Sequence, residues 1–259
     1  MIRQPFHVVD QSPWPFLTAV SVMALMSGAG AWMYHFSIIF MLVGLLSTMI
    51  CSFSWWRDII RESAYMGYHN TYTSANHRWA MIMFILSEVL FFISFFWGFF
   101  HSSLAPTPEI GCCWPPTGIT VLNPFAIPLL NTMILLSSGF SVTWAHHSLI
   151  ANSRSQAMQG LLVTVLLGAY FTTLQVDEYF ETTFSISDSV YGTLFFVCTG
   201  FHGLHVLIGT MFLGVALMRI YLHQFSNLHH FGFEAAAWYW HFVDVVWICL
   251  YLLIYWWGS

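Results

Sequence analysis

The stretch "MFILSEVLFFISFFWGFF", residues 83–100, decides the fold class of this chain. It is apolar almost throughout, and its single ionisable residue, Glu88, stands near the middle. A helix that spans the hydrocarbon core of a bilayer needs about 20 mostly apolar residues. The surrounding run over about 79–101 meets that length. The stretch therefore predicts a transmembrane helix with one carboxyl group at membrane depth.

The composition of the whole chain indicates the same class. Of its 259 residues, 58% are hydrophobic and 7% are charged, whereas soluble domains carry about 25% charged residues. The chain lacks the polar shell of a soluble protein, so we predict an integral membrane protein. Its net charge of −5 argues against binding to nucleic acid, which requires basic surfaces. It has no CxxC motif, so neither a cysteine-ligated zinc site nor a dithiol redox site is expected.

Seven apolar runs are long enough to span a membrane, which predicts an all-α fold with a single transmembrane domain over residues 1–259. The sixth run is too long for one upright span and is expected to tilt or to project from the bilayer. Residues 57–78 are predicted to be a polar linker, and the proline-rich residues 102–125 an ordered loop. The seven runs are about 16–36, 38–56, 79–101, 126–149, 156–179, 190–221 and 233–256.

The arginines test this seven-helix topology. With seven spans, the N-terminus and the connections 2–3, 4–5 and 6–7 share one side, and all the arginines fall on that side. Positive residues mark the inner side of a membrane. The N-terminus is therefore predicted on the matrix or cytoplasmic side and the C-terminus on the outer side. The arginines are Arg3, Arg57, Arg61, Arg78, Arg154 and Arg219.

Glu88 is the first candidate for chemistry. An ionised side chain at the centre of a membrane helix costs about 2.5–3.5 kcal/mol on insertion scales. Glu88 should therefore face protein or water, or be protonated, because burial disfavours the charged form of a carboxyl. It is either a group that handles protons or a neutral acid hydrogen-bonded between helices. A proton relay needs a chain of titrating groups, and no second acid lies within one helical turn.

Histidines on the sixth run could serve as ligands. His202 and His205 share one helical face at spacing i, i+3, and such a pair could bind a metal or haem. A haem would need a histidine on a facing helix at the same depth. His146 and His147 are the available partners, yet they lie nearer the inner end of their helix. Packed, hydrogen-bonded histidines are the favoured interpretation, and no metal site is expected.

Two further polar groups lie on or near predicted spans. His241 and Asp244, at i and i+3 on the seventh helix, can pair within the membrane and lower the desolvation penalty. The arginine-rich segment after Trp55, which includes Arg61 and Glu62, could hold lipid phosphates because the guanidinium fork suits phosphate geometry. Pairing within the chain is the alternative for that segment.

Acidic residues end the fifth helix, where they oppose the helix dipole. No basic residue of the chain lies on the predicted outer side to balance them. We therefore predict that a partner subunit, a cation or water satisfies these carboxylates. They are Asp177, Glu178 and Glu181.

The chain resembles the cytochrome c oxidase subunit III family from end to end. The motifs that carry this resemblance are "SPWPF" at 12–16, "WWRDIIRES" at 55–63, "SEVLFF" at 87–92, "FHSSLAPTPEIG" at 100–111, "WPPTGI" at 114–119, "PLLNT" at 128–132, "TWAHHSL" at 143–149, "GFHGLHVLIGT" at 200–210, "HHFGFEAAAWYWHFVDVVW" at 229–247 and the final "YWWGS". The seven runs, together with an N-terminus that lacks a transit-peptide pattern, are similar to the mitochondrially encoded form. The resemblance therefore implies the mitochondrial inner membrane.

The resemblance implies a helix pair over about 16–56, separated from a five-helix bundle over about 79–256 by a V-shaped cleft that holds phospholipids. It implies an accessory subunit of the respiratory oxidase without haem or copper, since those centres belong to subunits I and II, which reduce oxygen and pump protons. Subunit I is the implied main partner, with subunit II, small nuclear-encoded subunits and membrane phospholipids. The implied role is to sustain proton uptake on the inner side.

The resemblance also assigns roles to residues. It implies that Glu88 is a protonated carboxyl of the kind that reacts with hydrophobic carbodiimides and is not essential for proton pumping. It implies no catalytic residue on this chain, and leaves His202, His205, His241 and Asp244 as intramembrane polar groups. The implied lipid contacts are Trp56, Arg61, Glu62, His69, Trp97 and Arg219.

Two other functions compete with the accessory subunit. A stand-alone transporter or proton channel would need polar groups aligned through the bilayer and a broken helix, and the sequence shows no break. A membrane cytochrome would use His202 or His205, and a visible spectrum of the isolated chain would reveal it.

Overall fold

A computed structural model describes residues 6–258 of the chain. Over that range all regular structure is helical, and no strand occurs. Each of the seven long helices is apolar enough to cross a membrane, which confirms the predicted all-α, seven-span fold. A short 3₁₀ helix, Pro108–Ile110, lies in the 3–4 connection, and the last helix continues as a π-helical segment, Tyr251–Trp256. The helices are α1 Trp14–Met33, α2 Ile39–Ala64, α3 Thr71–Leu104, α4 Ile127–Ile150, α5 Arg154–Glu181, α6 Val190–Tyr221 and α7 Phe231–Leu250.

The predicted polar linker over 57–78 is wrong. Helix α2 continues to Ala64 and α3 begins at Thr71, so only residues 65–70 connect them. Hydropathy marks where a helix leaves the hydrocarbon, but the backbone continues to bond i to i−4 in the polar zone beyond. At about 1.5 Å per residue, the 34 residues of α3 reach well past the hydrocarbon core, which is about 30 Å thick. The long sixth run is one helix of 32 residues, and the 102–125 segment is largely non-helical.

The chain folds into two compact units, Met1–His77 and Arg78–Ser259. In the first unit α1 and α2 pack along their length. Glycines bring the two backbones together: a Cβ added at Gly28 would lie 2.6 Å from the backbone nitrogen of Met41, and one at Gly44 would overlap the backbone of Leu25. Small residues of this kind allow close helix packing in membranes. The predicted lipid cleft stays a prediction.

Helix α7 carries the core of the second unit. The indole rings of Trp240 and Trp247 are both fully buried, and each Nε1 donates to a hydroxyl of α4, Trp240 to Ser138 at 2.8 Å and Trp247 to Thr132 at 3.0 Å. Gly168 of α5 makes room for the first ring, since a Cβ there would lie 2.7 Å from Trp240. Buried indoles therefore orient α7 against its neighbours.

Candidate functional site

Glu88 and His205 form a polar pair between α3 and α6. The Oε2 atom of Glu88 lies 2.9 Å from Nε2 of His205, and Nδ1 of His205 lies 2.6 Å from the carbonyl oxygen of Phe201. A carbonyl only accepts, so Nδ1 carries a proton and donates it. Nε2 is then left to share a proton with the carboxyl. The pair is either a neutral acid that donates to imidazole or a carboxylate beside an imidazolium.

Aromatic side chains surround this Glu88–His205 pair. The centroid of the Phe92 ring lies 5.2 Å from that of His205, and those of Phe242 and Tyr239 lie at 6.0 and 6.2 Å. The side chain of His205 is 10% exposed and that of Glu88 24%. From the sequence, Glu88 and His205 were both predicted to lie within membrane spans, but their contact with each other was not predicted. Both His205 nitrogens are engaged, so on the His205 side the pair ends at the carbonyl of Phe201 and not at a further titrating group.

His202 lies one turn from His205 but in a different environment. Its side chain is buried between Phe171 and Trp247. Its Nε2 lies 3.2 Å from the carbonyl oxygen of Val243, and its Nδ1 is enclosed without a hydrogen-bond partner. His146, which the sequence offered as a candidate for the opposite haem ligand, instead contacts His230 and Phe233. The structure therefore does not bring the two histidine sets together.

His241 and Asp244 approach each other as their i, i+3 spacing predicts. His241 Nδ1 lies 3.8 Å from Asp244 Oδ2, which is an ion-pair distance but too long for a hydrogen bond. Gly139 leaves room for this carboxyl, because a Cβ added at Gly139 would lie only 2.8 Å from Asp244 Oδ2. Asp244 Oδ1 is buried without a partner. Within the described residues the carboxyl therefore makes no hydrogen bond, and its one charged contact is the approach of His241.

Glu178 is a buried carboxyl, and the sequence did not predict that it is buried. It is 1% exposed, and its Oε1 accepts from the Tyr255 hydroxyl at 2.5 Å and from the Gln175 amide at 3.3 Å. Asn131 of α4 extends the network by donating to Gln175 at 3.4 Å. The prediction that an outside partner satisfies this carboxylate is wrong for Oε1, because the chain's own tyrosine does so. Oε2 remains buried without a partner.

A sequence signal for this burial does exist. Residues that alternate at spacings of four and three form one inward stripe along α5, and Glu178 is its last member. Three of the earlier members are Ala, Gly or Thr, which suits close packing. The buried stripe comprises Ala157, Leu161, Thr164, Gly168, Phe171, Gln175 and Glu178.

A histidine–glutamate cluster, His146, His230 and Glu234, joins α4, the 6–7 connection and α7. His146 Nε2 lies 3.4 Å from His230 Nε2, which lies 3.5 Å from Glu234 Oε1. Arg78 donates through Nε to Glu234 Oε2 at 2.9 Å and through Nη2 to Oε1 at 3.1 Å. Nearby, Arg154 donates through its side chain to the last carbonyls of α6, those of Ile220 and Tyr221.

The predicted lipid contacts of the first unit lie in the last turns of α2 or just after it. Trp56 is 64% exposed. Arg61 Nη1 is 3.9 Å from Asp58, which also accepts from Arg57 and from Trp14. Ion pairing within the chain, the alternative interpretation, therefore occurs here. Glu62 and His69 lie together with His7, their potential ligand atoms within 4.8 Å of one another.

The second unit holds the other two predicted lipid contacts. Trp97 is 75% exposed on α3. The Arg219 guanidinium lies over the Phe225 ring, 4.1 Å from its centroid, and donates to Gln224 at 3.2 Å. Arg219 therefore already has partners in its own chain. The six lipid contacts stay predictions, and Arg3 lies outside the described residues.

Comparison with known proteins covers the entire chain. Residues 4–259 match the family model described as cytochrome c oxidase subunit III. The cytochrome c oxidase subunit 3 of Lumbricus terrestris is 60% identical over 259 residues, covering 100% of both chains. That of Pisaster ochraceus is 59% identical over 99% of both chains. That of Ornithorhynchus anatinus is 59% identical over 98% of this chain and 97% of its own.

Proposed function

Because the chain belongs to the cytochrome c oxidase subunit III family, we propose that it serves the respiratory oxidase as an accessory subunit without a redox centre of its own. As a subunit of cytochrome c oxidase it is part of an oxidoreductase complex of the respiratory chain. Its seven membrane-spanning helices and its family together point to a multi-pass inner-membrane protein.

This proposal rests on the surroundings of the ring nitrogens of His205 and His202, the two histidines near the middle of α6. A haem or copper ligand needs a free ring nitrogen, yet both nitrogens of His205 are engaged, by Phe201 and by Glu88. His202 uses Nε2 toward a backbone carbonyl. Its Nδ1 has no partner but is enclosed in the protein beside the rings of Phe171 and Trp247, where a haem does not reach it. Haem and copper then belong to partner subunits, and this chain contributes no catalytic residue.

The partners are subunit I as the main contact, subunit II, small nuclear-encoded subunits and membrane phospholipids. Helices α1, α2 and α3 support this, because at most 11% of each apolar window is buried, which leaves wide apolar surfaces for lipid and for other subunits. The orientation has the N-terminus in the matrix and the C-terminus in the intermembrane space. The arginine distribution supports it through the positive-inside rule.

The role is to sustain proton uptake and pumping by subunits I and II, with Glu88 as a structural or modulatory group. Its pairing with His205 supports this, since on the His205 side the pair ends in a backbone carbonyl and not in a further titrating group. Bound phospholipids near Trp56, Arg61, Glu62, His69, Trp97 and Arg219 complete the proposal.

Purification in a mild detergent tests the proposal. The tagged chain should co-migrate with larger subunits that carry haem and copper, and the dissociated chain should show no Soret band. A Soret band that stays with the isolated chain would refute the absence of a cofactor. Purification as a stable, haem-free protein without partners would refute the accessory role.

A further inference from the structure

We propose that His146, His230 and Glu234 form a binding site for a divalent transition metal, and that zinc is the ion this ligand set suits. The three side chains come from α4, the 6–7 connection and α7. Two imidazoles and one carboxylate are a common zinc ligand set, with water in the fourth position. The sequence predicted no metal site, because spacing alone does not bring these residues together.

The distances between the ligand atoms fit a tetrahedral ion. Zinc bound at about 2.0–2.1 Å by nitrogen or oxygen has tetrahedral edges of about 3.3–3.4 Å. The two measured edges are 3.4 Å, between the Nε2 atoms of His146 and His230, and 3.5 Å, between His230 Nε2 and Glu234 Oε1. All three ligand atoms lie within 4.8 Å of one another. The third edge, between His146 and Glu234, is therefore no longer than 4.8 Å, and binding requires it to shorten by at most about 1.5 Å.

The hydrogen bonds around His230 prepare it as a ligand. Its Nδ1 lies 2.9 Å from the carbonyl oxygen of Ser226, so Nδ1 carries the proton and Nε2 presents a lone pair. Histidines that bind metals almost always donate their other N–H in this way. The lone pair points at a second imidazole nitrogen 3.4 Å away. An N–H on His146 Nε2 satisfies that contact as a hydrogen bond, and a metal ion between the two nitrogens would take its place.

Arg78 prepares the carboxylate in the same manner. It donates to both oxygens of Glu234, and a metal can take Oε1 while Arg78 keeps Oε2. Such outer partners fix the orientation of a ligand. His230 and Glu234 have side chains only 7% and 15% exposed, while His146 is half-buried and leaves an entry path. A bound ion would fasten α4 to the start of α7.

Zinc binding to the purified complex tests the site directly. We expect the His146→Asn and His230→Asn variants to bind one zinc fewer than the unmodified protein under conditions that saturate the latter. Their affinity should fall by more than about 10-fold, since removal of even an outer partner of a ligand costs 10–100-fold. His147→Asn is the matched control, because His147 is the adjacent, exposed histidine outside the cluster. Equal zinc content in all four proteins would overturn the proposal.

A second measurement needs no variant and covers the case in which substitution prevents assembly. Crystals or frozen samples of the unmodified complex are loaded with zinc alone, and the ion is located by anomalous scattering at the zinc edge. Density between His146 and His230 would support the site. Zinc found only elsewhere, for example at the cluster of His7, Glu62 and His69, would refute it.

Discussion

The carboxyl of Glu88 is tolerated in an apolar helix because it has a hydrogen-bond partner there, the imidazole of His205. The two groups lie 2.9 Å apart and share one proton. That proton is either on the carboxyl, which then donates to a neutral imidazole, or on the imidazole, which then faces a carboxylate. The enclosing rings of Phe92, Tyr239 and Phe242 lower the local dielectric constant, which strengthens a satisfied hydrogen bond and penalises an unsatisfied one. The carboxyl is therefore part of the packing between α3 and α6.

Glu88→Gln should leave oxygen reduction by the complex largely intact and abolish labelling by a hydrophobic carbodiimide, which needs a carboxyl group. The glutamine amide can still donate to His205 Nε2, so the free energy of unfolding should change by no more than about 1 kcal/mol. Glu88→Leu is the informative companion, because it leaves a buried imidazole nitrogen without a partner at a cost of about 1–3 kcal/mol. Turnover, labelling and thermal unfolding are measured on the same preparations. Complete loss of proton pumping in Glu88→Gln would contradict the structural role.

Tyr255→Phe should destabilise the protein more than its single lost hydroxyl suggests. That hydroxyl donates to a carboxylate that is 1% exposed, and its removal leaves Glu178 Oε1 with only the longer bond to Gln175 at 3.3 Å. A buried acceptor without its donor costs about 1–3 kcal/mol.

Thermal unfolding of the purified protein in detergent measures this effect. Tyr170→Phe is the control, since Tyr170 lies on the same helix as Glu178 but is 50% exposed. Its midpoint should match that of the unmodified protein. If the two tyrosine variants unfold at the same temperature, the Glu178 network contributes nothing to stability.

At the scale of helices, the α1–α2 pair depends on two glycines. A methyl group at Gly44 would overlap the backbone of Leu25, so Gly44→Ala must push the helices apart. Overpacking of this kind costs about 1–3 kcal/mol. Gly30→Ala is the matched control, because nothing lies within 4 Å of the Cβ it would add.

A disulfide can report the approach of these helices. Ser21 Oγ lies 3.8 Å from Cys51 Sγ, so Ser21→Cys should form a bridge with Cys51 under mild oxidation. We expect the bridge to form in the Gly30→Ala background and to be reduced in the Gly44→Ala background, as read from mobility on non-reducing gels. Equal yields would show that Gly44 does not set the distance between the helices.

The sequence predicted the number of helices well because the hydrocarbon thickness fixes the length of each apolar run. It predicted the ends of α2 and α3 poorly, since the polar residues 57–64 and 71–78 are helical outside the hydrocarbon and carry no hydropathy signal. Of the polar groups, the His241–Asp244 contact was predicted because both residues lie on one helix. The Glu88–His205 pair and the His146–His230–Glu234 cluster each join different helices, and the rotation of one helix against another depends on packing that hydropathy does not encode.

For the whole molecule, charge is the strongest topological signal. Arg78, Arg154 and Arg219 lie near one end of the second unit, where Arg78 contacts Glu234 and Arg154 caps α6.

Glu109 lies in the 3–4 connection, predicted at the opposite side. There, hydrogen bonds from Thr107 and from its own backbone hold the pKa of the exposed Glu109 carboxyl below its usual value, so it is ionised. Moving one charge across 100 mV is worth about 2.3 kcal/mol, which favours arginines on the negative, inner side.

This asymmetry predicts which connections a membrane-impermeant maleimide can reach. Cys112 and Cys113 are exposed in the 3–4 connection and should label from the intermembrane-space side but not in inverted vesicles. Leu228 is 89% exposed in the 6–7 connection, so Leu228→Cys in a chain with Cys112→Ser and Cys113→Ser should label in inverted vesicles only. The chain carrying just the two serine substitutions is the background control. Labelling of Leu228→Cys and the native cysteine pair from the same side would overturn the odd number of spans between them. It would also overturn the prediction that the arginines face the matrix.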